Sequence, residues 1–303
     1  MSFAIRLVLP IALAIACATP VAAQQKDKEY EPQVGQAGKD VIWVPTPDEV
    51  VERMLRMAQV TPNDYVVDLG AGDGKIAIAA ARKMGARSMG IEYNADMAKH
   101  AQRNVEKAGV TGKAKVVQGD IFASDFTTAT VVTMYLLPAL NMKLRPQILN
   151  MRPGTRVVSH SFNMEDWEPD ETSSMDGRRA YLWLVPANVM GTWTLESGSE
   201  RHDLALEQKF QKLDGHVVLG PIHAGLRETR LRGFLISFAY VDANGVRRDL
   251  RPRDRQPHGR LVPRRQRHRR TLDGGEEIGF GSSVPPASRR PATRAGRLRA
   301  GGP

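Results

Sequence analysis

Cysteine is nearly absent from this 303-residue sequence, and its single cysteine, Cys17, lies within an apolar segment near the amino terminus. That segment, residues 7–18, is too short to span a bilayer comfortably, and small residues at positions 21 and 23 match a signal-peptidase site. We therefore expect residues 1–23 to be a signal peptide and the protein to be exported, either periplasmic or secreted. Its cleavage would leave no thiol, which excludes disulfides, thiolate-bound metals and a cysteine nucleophile. An uncleaved anchor and a lipoprotein are alternatives, and a mis-assigned start codon would make the protein cytoplasmic.

Lysine is missing from residues 251–303, which contain 14 arginines and four acidic residues and carry the whole net charge of +10. This segment is rich in proline and glycine and has no apolar period, so we expect it to be a disordered tail. Such a composition is also what a GC-rich gene yields when it is read out of frame. The tail is therefore either an out-of-frame product or a basic arm that binds anionic surfaces non-specifically.

Metal-binding and serine-hydrolase motifs are also absent. No serine nucleophile elbow occurs, and the seven histidines lack the spacing of metal ligands, so we expect no metal cofactor. His160, on a predicted strand, is either an acid–base neighbour of a site or a core histidine. The histidines stand at positions 100, 160, 202, 216, 223, 258 and 268.

Strands and helices alternate through residues 41–189, which follow a polar segment, residues 24–40, that we interpret as a linker. The run Thr46-Pro47-Asp48-Glu49 has the pattern of a helix start, with Thr46 as the cap. The alternation predicts an α/β fold, a doubly wound, mostly parallel sheet covered on both faces, with ligands at the carboxyl ends of the strands. The predicted strands are 65–69, 88–92, 114–118, 130–135 and 155–162, the predicted helices are 47–59, 75–83, 95–108 and 138–150, and strands at 180–185 and 192–195 should close the sheet with an antiparallel edge.

The helical pattern stops in residues 190–250. Apolar and polar residues alternate over 204–213, and further short strand patterns occupy 217–219 and 232–241, the last leading into a turn at 242–245. These patterns predict a small carboxyl-terminal antiparallel β-unit.

A glycine-rich loop, residues 70–74, directly follows the first predicted strand. A dinucleotide-binding loop has the spacing G-x-G-x-x-G, but here the third glycine comes one position too early. A phosphate-binding P-loop requires Ser or Thr after its Gly-Lys pair, but Ile76 follows Gly74-Lys75. The spacing therefore excludes both of these nucleotide sites.

The pattern D-x-G-x-G-x-G over residues 68–74 resembles motif I of the class I S-adenosylmethionine-dependent methyltransferases. The resemblance implies that S-adenosylmethionine is the cofactor. Because this cofactor has no phosphate, the glycines need only let the backbone approach its methionine part, while carboxylates reach toward its ammonium group. The residues that the resemblance assigns to this contact are Asp68, Gly70, Ala71, Gly72, Asp73 and Gly74.

Two further acids lie at the ends of the next two predicted strands. Glu92 stands 24 residues after Asp68 at a strand end, where its carboxylate can accept hydrogen bonds from both ribose hydroxyls, with Tyr93 beside it. The resemblance places Asp120 at the adenine amino group and Ile121 beside the adenine ring. Three acids at three successive strand ends support the cofactor site more strongly than the glycine loop alone.

The fourth predicted strand ends in Tyr135-Leu136-Leu137-Pro138, without the Asn/Asp-Pro-Pro-Tyr loop of amino-directed DNA methyltransferases. No specific nucleic-acid substrate is therefore expected. Together with Val44-Pro45-Thr46-Pro47, this run is similar to the family of lysine methyltransferases that act on the c subunit of ATP synthase, and more distantly to Dot1-type enzymes. The resemblance covers about residues 41–162. Tyr135, at the end of the fourth predicted strand, is either the catalytic residue that lines the acceptor site or a packed aromatic residue. We expect Pro45 and Thr46 to form a lid, and Leu136 and Pro138 to be further substrate-side residues.

The expected activity is the transfer of a methyl group from S-adenosylmethionine to an amine, with a protein lysine as the first candidate acceptor. A small-molecule amine is an alternative acceptor. A non-catalytic exported module that retains the fold is a further alternative, because the cofactor is made in the cytosol.

Overall fold

The computed structural model describes residues 30–197, 199–251 and 260–263. The predicted signal peptide, the first part of the predicted linker and most of the predicted tail lie outside the described residues. The helices are α1 (Asp48–Met57), α2 (Lys75–Met84), α3 (Ala95–Lys107) and α4 (Pro138–Leu149). The strands are β1 (Tyr65–Leu69), β2 (Arg87–Glu92), β3 (Ala114–Gln118), β4 (Val131–Met134), β5 (Arg156–His160), β6 (Glu171–Met175), β7 (Arg178–Leu184), β8 (Gly191–Ser197), β9 (Glu200–Lys209), β10 (Lys212–Leu219), β11 (Ile222–Gly225), β12 (Arg227–Arg232), β13 (Leu235–Val241), β14 (Arg247–Leu250) and β15 (Arg260–Pro263).

The first sheet has seven strands in the order β3-β2-β1-β4-β5-β7-β6. The five strands β1 to β5 run parallel, whereas β7 is antiparallel to β5 and β6 is antiparallel to β7. The strand order reverses between β1 and β4, which creates a crevice at the carboxyl ends of these strands. The predicted doubly wound, mostly parallel α/β fold is confirmed.

Neighbouring residues of the central strands pack on opposite faces of this sheet, because side chains alternate along a strand. Val66 of β1 is buried with Val51 and Leu55 of α1 on one face. Val67 of β1 is buried with Leu144 and Ile148 of α4 on the other face. The near-continuous apolar strands predicted from the sequence are therefore strands that helices cover on both sides.

The start of α1 differs from its prediction. The helix begins at Asp48, Pro47 occupies the capping position, and no side chain of the described residues caps the helix. The assignment of Thr46 as the cap is therefore wrong. The hydroxyl of Thr46 lies instead beside the ring of His160, which long-range packing brings to the same place.

Two strand predictions also need correction. Residues 192–195 belong to β8 in a second sheet, and the edge of the first sheet is β6, whose polar sequence carries no apolar pattern. The single strand predicted over 204–213 is two strands, β9 and β10, which turn at Phe210 with a φ of 55°. Local alternation does not reveal where such a hairpin turns.

The β-unit consists of a five-stranded sheet, β11-β10-β9-β8-β15, and a three-stranded sheet, β12-β13-β14. Apolar side chains of both sheets, among them Leu204, Val217 and Phe238, are buried together. Phe210 stacks on Trp167 beside the first sheet, with ring centroids 5.8 Å apart. Strand β15 lies inside the segment predicted to be disordered and pairs with β8. Among the described residues, no helix has the length and apolar character that crossing a membrane requires.

Candidate functional site

A cavity of about 330 Å³ opens at the carboxyl edge of the first sheet, in the crevice between β1 and β4. This volume lies within the range of small-molecule sites. Every residue that the sequence predicts for the site lines this cavity except Gly74 and Pro138. Gly74 precedes α2 and packs against α3, and Pro138 is the first residue of α4, so these two shape the helices that follow the loops. Of the described residues, none beyond Phe162 lines the cavity.

The glycine loop turns sharply between β1 and α2. Gly70 and Gly72 have φ values of 76° and 53°, a left-handed conformation that residues with a Cβ rarely adopt. A Cβ on Gly70 would lie 2.9 Å from Cδ2 of Leu136, and one on Gly72 would overlap the indole of Trp43. The loop therefore needs glycine both for its backbone conformation and for the closeness of the opposite wall.

Asp68 lies under this loop and is only 2% exposed. Its Oδ1 accepts a hydrogen bond from the hydroxyl of Thr133, at 2.7 Å. Burial, helped by the nearby charges of Asp73 and Glu92, raises the pKa of Asp68 to about 7 despite this hydrogen bond. A cation placed at this end of the cavity would favour the ionised carboxylate.

Glu92, at the end of β2, is fixed by the backbone. Its Oε2 accepts a hydrogen bond from the N–H of Gly72 and its Oε1 accepts one from the N–H of Asn94, both at 2.9 Å. Each carboxylate oxygen retains a second lone pair, so the side chain can still accept hydrogen bonds from a diol. Tyr93 follows it in the cavity wall and is 49% exposed.

Asp120, beyond the end of β3, is held from two sides. Its Oδ1 accepts a hydrogen bond from the N–H of Phe122 at 2.9 Å, and its Oδ2 accepts one from the ammonium of Lys39, also at 2.9 Å. The hydrogen bonds from Lys39 and Phe122 keep the pKa of Asp120 below its usual range. The Lys39 ammonium also lies 4.4 Å from the centroid of the Tyr93 ring, within the reach of a cation–π contact.

Residues 36–46, here called the strap, form one wall of the cavity. The strap starts as a tight hairpin, in which the N–H of Gly35 donates to the carbonyl of Trp43 at 2.8 Å and the N–H of Trp43 donates to the carbonyl of Gln36 at 2.9 Å. The indole of Trp43 packs on Gly72 of the glycine loop. The polar residues 36–40, interpreted from the sequence as part of a linker, thus belong to the cavity wall.

Aromatic rings meet at the ends of β4 and β5. The ring centroid of Tyr135 lies 4.0 Å from that of His160 and 6.1 Å from that of Phe162. Nδ1 of His160 lies 3.2 Å from Oγ1 of Thr46 in the strap. Burial, followed by the charge of Arg178, lowers the pKa of His160 to about 4, so its ring is neutral near pH 7. A ring with so low a pKa holds a proton only weakly, so of the two roles that the sequence leaves open for His160, a general base at neutral pH is the less suitable one.

The sequence reasoning missed about half of the cavity lining, including Lys39, Trp43, Met97 and Phe162. Trp43 could have been found, because it belongs to a short apolar run, residues 41–45, directly after the polar segment and next to the lid residues Pro45 and Thr46. Lys39 leaves no local signal, since its contact with Asp120 joins residues 81 positions apart.

The residues present fit S-adenosylmethionine. The close glycine backbone and buried Asp68 suit its amino acid part, Glu92 can accept hydrogen bonds from a ribose diol, and Asp120 lies beside the apolar Ile121 as an adenine site requires. Within the described part of the chain, no group of three histidine, cysteine, aspartate or glutamate residues is placed to hold a metal ion.

Known proteins resemble part of this chain. The sequence model of the ANTKMT methyltransferase domain matches residues 68–171. A protein-lysine N-methyltransferase of Saccharolobus islandicus (strain REY15A) is 43% identical over 151 residues, which cover 48% of this chain and 94% of that protein. A lysine N-methyltransferase of Mus musculus, named for the c subunit of ATP synthase, is 31% identical over 132 residues, which cover 43% of this chain and 53% of that protein. The chain thus spans nearly all of the Saccharolobus relative and about half of the mouse relative.

Among solved structures, one described as an RNA methyltransferase from Salinibacter ruber in complex with S-adenosyl-L-homocysteine is 49% identical to this chain. The match covers 48% of this chain and 96% of that chain, with a TM-score of 0.47. The family-model match ends at residue 171, so the β-unit lies outside it.

Proposed function

Since this chain belongs to the class I S-adenosylmethionine-dependent methyltransferases, we propose that its methyl acceptor is the amine of a lysine side chain in a protein substrate. The names of the Saccharolobus and mouse relatives both specify a lysine N-methyltransferase. Identity to the Saccharolobus relative extends over almost its whole length, so this relative carries more weight than the mouse protein. The acceptor side of the cavity supports the same substrate class.

The aromatic wall formed by Tyr135 and Phe162 is the observation that carries the proposal. A lysine side chain has a flexible apolar stem and a compact cation at its tip. Aromatic faces bind both, since they pack against the stem and attract the ammonium through their quadrupole. The two rings stand at the carboxyl ends of β4 and β5, beside the glycine loop where the methionine part of the cofactor is expected.

The rim of the cavity favours a protein acceptor over a small amine. Ile42, Val44 and Leu137 line the cavity and are 63%, 39% and 44% exposed. Large apolar side chains grouped in this way around a binding site are typical of surfaces that contact another macromolecule. A small dissolved amine would leave them in water.

The chain must hold the acceptor nitrogen in line with the transferred methyl group and exclude water. The bound cofactor supplies an electrophilic methyl group on a sulfonium. Because a protonated amine is not a nucleophile, the lysine must reach the site as the free amine or lose its proton there. Tyr135 is the residue we assign to orienting that amine, through its hydroxyl or the neighbouring backbone carbonyls.

Methyl transfer to a cell extract tests the proposal directly. The full chain is incubated with extract and S-adenosylmethionine carrying a labelled methyl group, and the products are digested separately with protease and with ribonuclease. We expect the label to become soluble only with protease and to be recovered as methyl-lysine after hydrolysis. Label in nucleic acid or in small molecules would overturn the lysine proposal.

A matched pair of variants ties the label to the site. Glu92→Gln should lose labelling, because the side chain that accepts hydrogen bonds from the ribose hydroxyls loses its charge. Glu207 is an exposed residue of β9, and Glu207→Gln should label the extract as the wild type does. Calorimetric titration with S-adenosylmethionine alone separates cofactor binding from acceptor choice. Wild-type protein that binds no cofactor would contradict an enzymatic role altogether.

A further inference from the structure

His160 stands where the strap meets the acceptor-side aromatic wall. We infer that it is a positioning residue, which holds the strap through Thr46 and sets the ring of Tyr135 against the acceptor amine. The inference rests on the proposed function, since it assigns a role in the same site. It depends on three observations that concern elements far apart in the sequence.

The first contact ties His160 to the strap. Nδ1 of His160 and Oγ1 of Thr46 are 3.2 Å apart, both side chains are buried, and the two residues are 114 positions apart in the chain. Since no described side chain caps α1, the Thr46 hydroxyl is directed to the histidine and not to the helix that follows it. This bond fixes the carboxyl end of the strap above the ends of β4 and β5.

The second contact ties His160 to Tyr135. The two rings are tilted by 39° with centroids 4.0 Å apart, which is close packing for two aromatic groups. Phe162 flanks Tyr135 at 6.1 Å with nearly parallel ring planes. Because His160 is only 3% exposed, its ring cannot turn without moving Tyr135.

The third observation is that one of the two ring nitrogens of His160 has no hydrogen-bond partner among the described residues. Within the described part of the chain, Nε2 of His160 is buried and has no hydrogen-bond partner. Because Nε2 makes no hydrogen bond within the described residues, the bond between Nδ1 and Thr46 is the contact that orients the ring.

Two substitutions at His160 separate the two contacts. His160→Phe keeps a ring against Tyr135 but removes the bond to Thr46, whereas His160→Asn can keep a polar group near the Nδ1 position but removes the ring. Hydrogen exchange of the strap amides, Gly38 and Trp43, reports strap closure without any cofactor. We expect His160→Phe to speed this exchange about fivefold, the effect of one lost hydrogen bond, and His160→Asn to leave it near the wild-type rate.

Steady-state kinetics with the lysine acceptor give the complementary result. We expect His160→Asn to lower kcat about tenfold because Tyr135 loses its support, with little change in the KM for the cofactor. Thr46→Val should reproduce the exchange rate of His160→Phe, and the double variant Thr46→Val/His160→Phe should exchange no faster than either single variant. Thr46→Ser, which restores the hydroxyl, should restore slow exchange.

Thr155→Val is the matched control, because Thr155 is a buried threonine at the other end of the β5 region and outside the cavity lining. It should leave strap exchange and kcat unchanged. Additive effects of Thr46→Val and His160→Phe on exchange, or equal kcat in His160→Asn and wild type, would overturn the inference. The exchange outcome requires neither cofactor nor acceptor, so it separates a failure of this inference from a failure of the proposed acceptor.

Discussion

The ammonium of Lys39 lies 2.9 Å from Oδ2 of Asp120, and the pair joins the strap to the loop beyond β3. Asp120 is the carboxylate that the sequence assigns to the adenine amino group. Its other oxygen, Oδ1, already accepts a hydrogen bond from the N–H of Phe122. Each oxygen of Asp120 thus already accepts one hydrogen bond, and an adenine amino group that approaches Oδ2 competes there with Lys39.

Lys39→Met should tighten the binding of S-adenosylmethionine. Removing a partly exposed ion pair frees Oδ2 for the adenine, and we expect the Kd to fall about two- to fivefold at low salt. Because salt screens such pairs, the difference from wild type should shrink as ionic strength rises. Titration calorimetry at two salt concentrations measures both effects.

Lys99→Met is the matched control, since Lys99 pairs with Asp96 on the exposed surface of α3. Its Kd should equal that of the wild type at both salt concentrations. Weaker cofactor binding by Lys39→Met would show that Lys39 holds the cofactor and does not compete with it.

The pKa of Asp68, raised by burial to about 7, predicts a pH dependence of cofactor binding. The cofactor ammonium favours the ionised carboxylate, so binding below pH 7 must release a proton from Asp68. Affinity should rise with pH by up to about tenfold per unit until about pH 7 and then level off. Calorimetry in two buffers of different ionisation enthalpy counts the released proton.

Asp68→Asn should bind the cofactor weakly, and its affinity should not rise with pH.

The carboxyl group of Asp68 also affects protein stability. The pH dependence that it adds is opposite to that of a salt-bridged aspartate, whose pKa is lowered on folding. Between its ordinary pKa of 3.8 and about 7, the folded state binds more protons at Asp68 than the unfolded state does. The contribution of Asp68 to the free energy of unfolding should therefore decline as pH rises through this window, and thermal unfolding of the variant measures its loss.

Gly72→Ala should open the strap. The backbone there has a φ of 53°, and an added Cβ would overlap the indole of Trp43. We expect cofactor affinity to fall at least about tenfold. The substitution adds backbone strain of about 1 kcal/mol and also displaces the wall of the cavity. Equilibrium binding measures the loss of cofactor affinity, and hydrogen exchange of the strap amides measures the opening of the strap.

Gly109→Ala provides the control for strain alone, since Gly109 has a similar φ of 68° and an added Cβ there would meet no atom of the described residues within 4 Å. It should lower stability by about 1 kcal/mol and leave cofactor binding unchanged. Equal binding losses in the two variants would mean that contact with Trp43 is not the cause.

Leu137→Ser tests the apolar rim. Its side chain is 44% exposed at the cavity mouth, so it should contribute to protein binding without touching the cofactor chemistry. We expect the KM for a protein acceptor to rise about three- to tenfold, from lost apolar contact, with the cofactor Kd unchanged. Ile222→Ser, at a similarly exposed position on β11, should change neither value. A free lysine derivative used as acceptor should show no difference between Leu137→Ser and wild type.

Local pattern predicted much of the first domain. The bounds of β1 and β3 agree with the prediction residue for residue, and those of α2 and α3 agree to within one residue at each end. The reason is that these elements carry their own signals in apolar runs, periodic apolar faces and glycine at their ends. Strand β6 carries no such signal, because Glu171–Met175 is a polar edge strand that exists only through its pairing with β7.

The cavity, too, has residues that the sequence predicts and residues that it does not. Asp68, Glu92 and Asp120 could be predicted because each lies at or near the carboxyl end of a strand, and the carboxyl ends of parallel strands meet at one edge. The strap could not, since its position depends on contacts of Lys39 with Asp120 and of Trp43 with Gly72 that no local pattern encodes.

Local sequence was enough to predict the alternation of strands and helices from α1 to β5, the glycine loop and the three acids, because backbone preferences and side-chain period act between near neighbours. The tertiary structure alone decided that Thr46 contacts His160 and does not cap α1, that Asp68 has a pKa near 7, and that Lys39 pairs with Asp120. Each of these depends on burial or on distances between residues 65 to 114 positions apart, which only the packed sheet and strap establish.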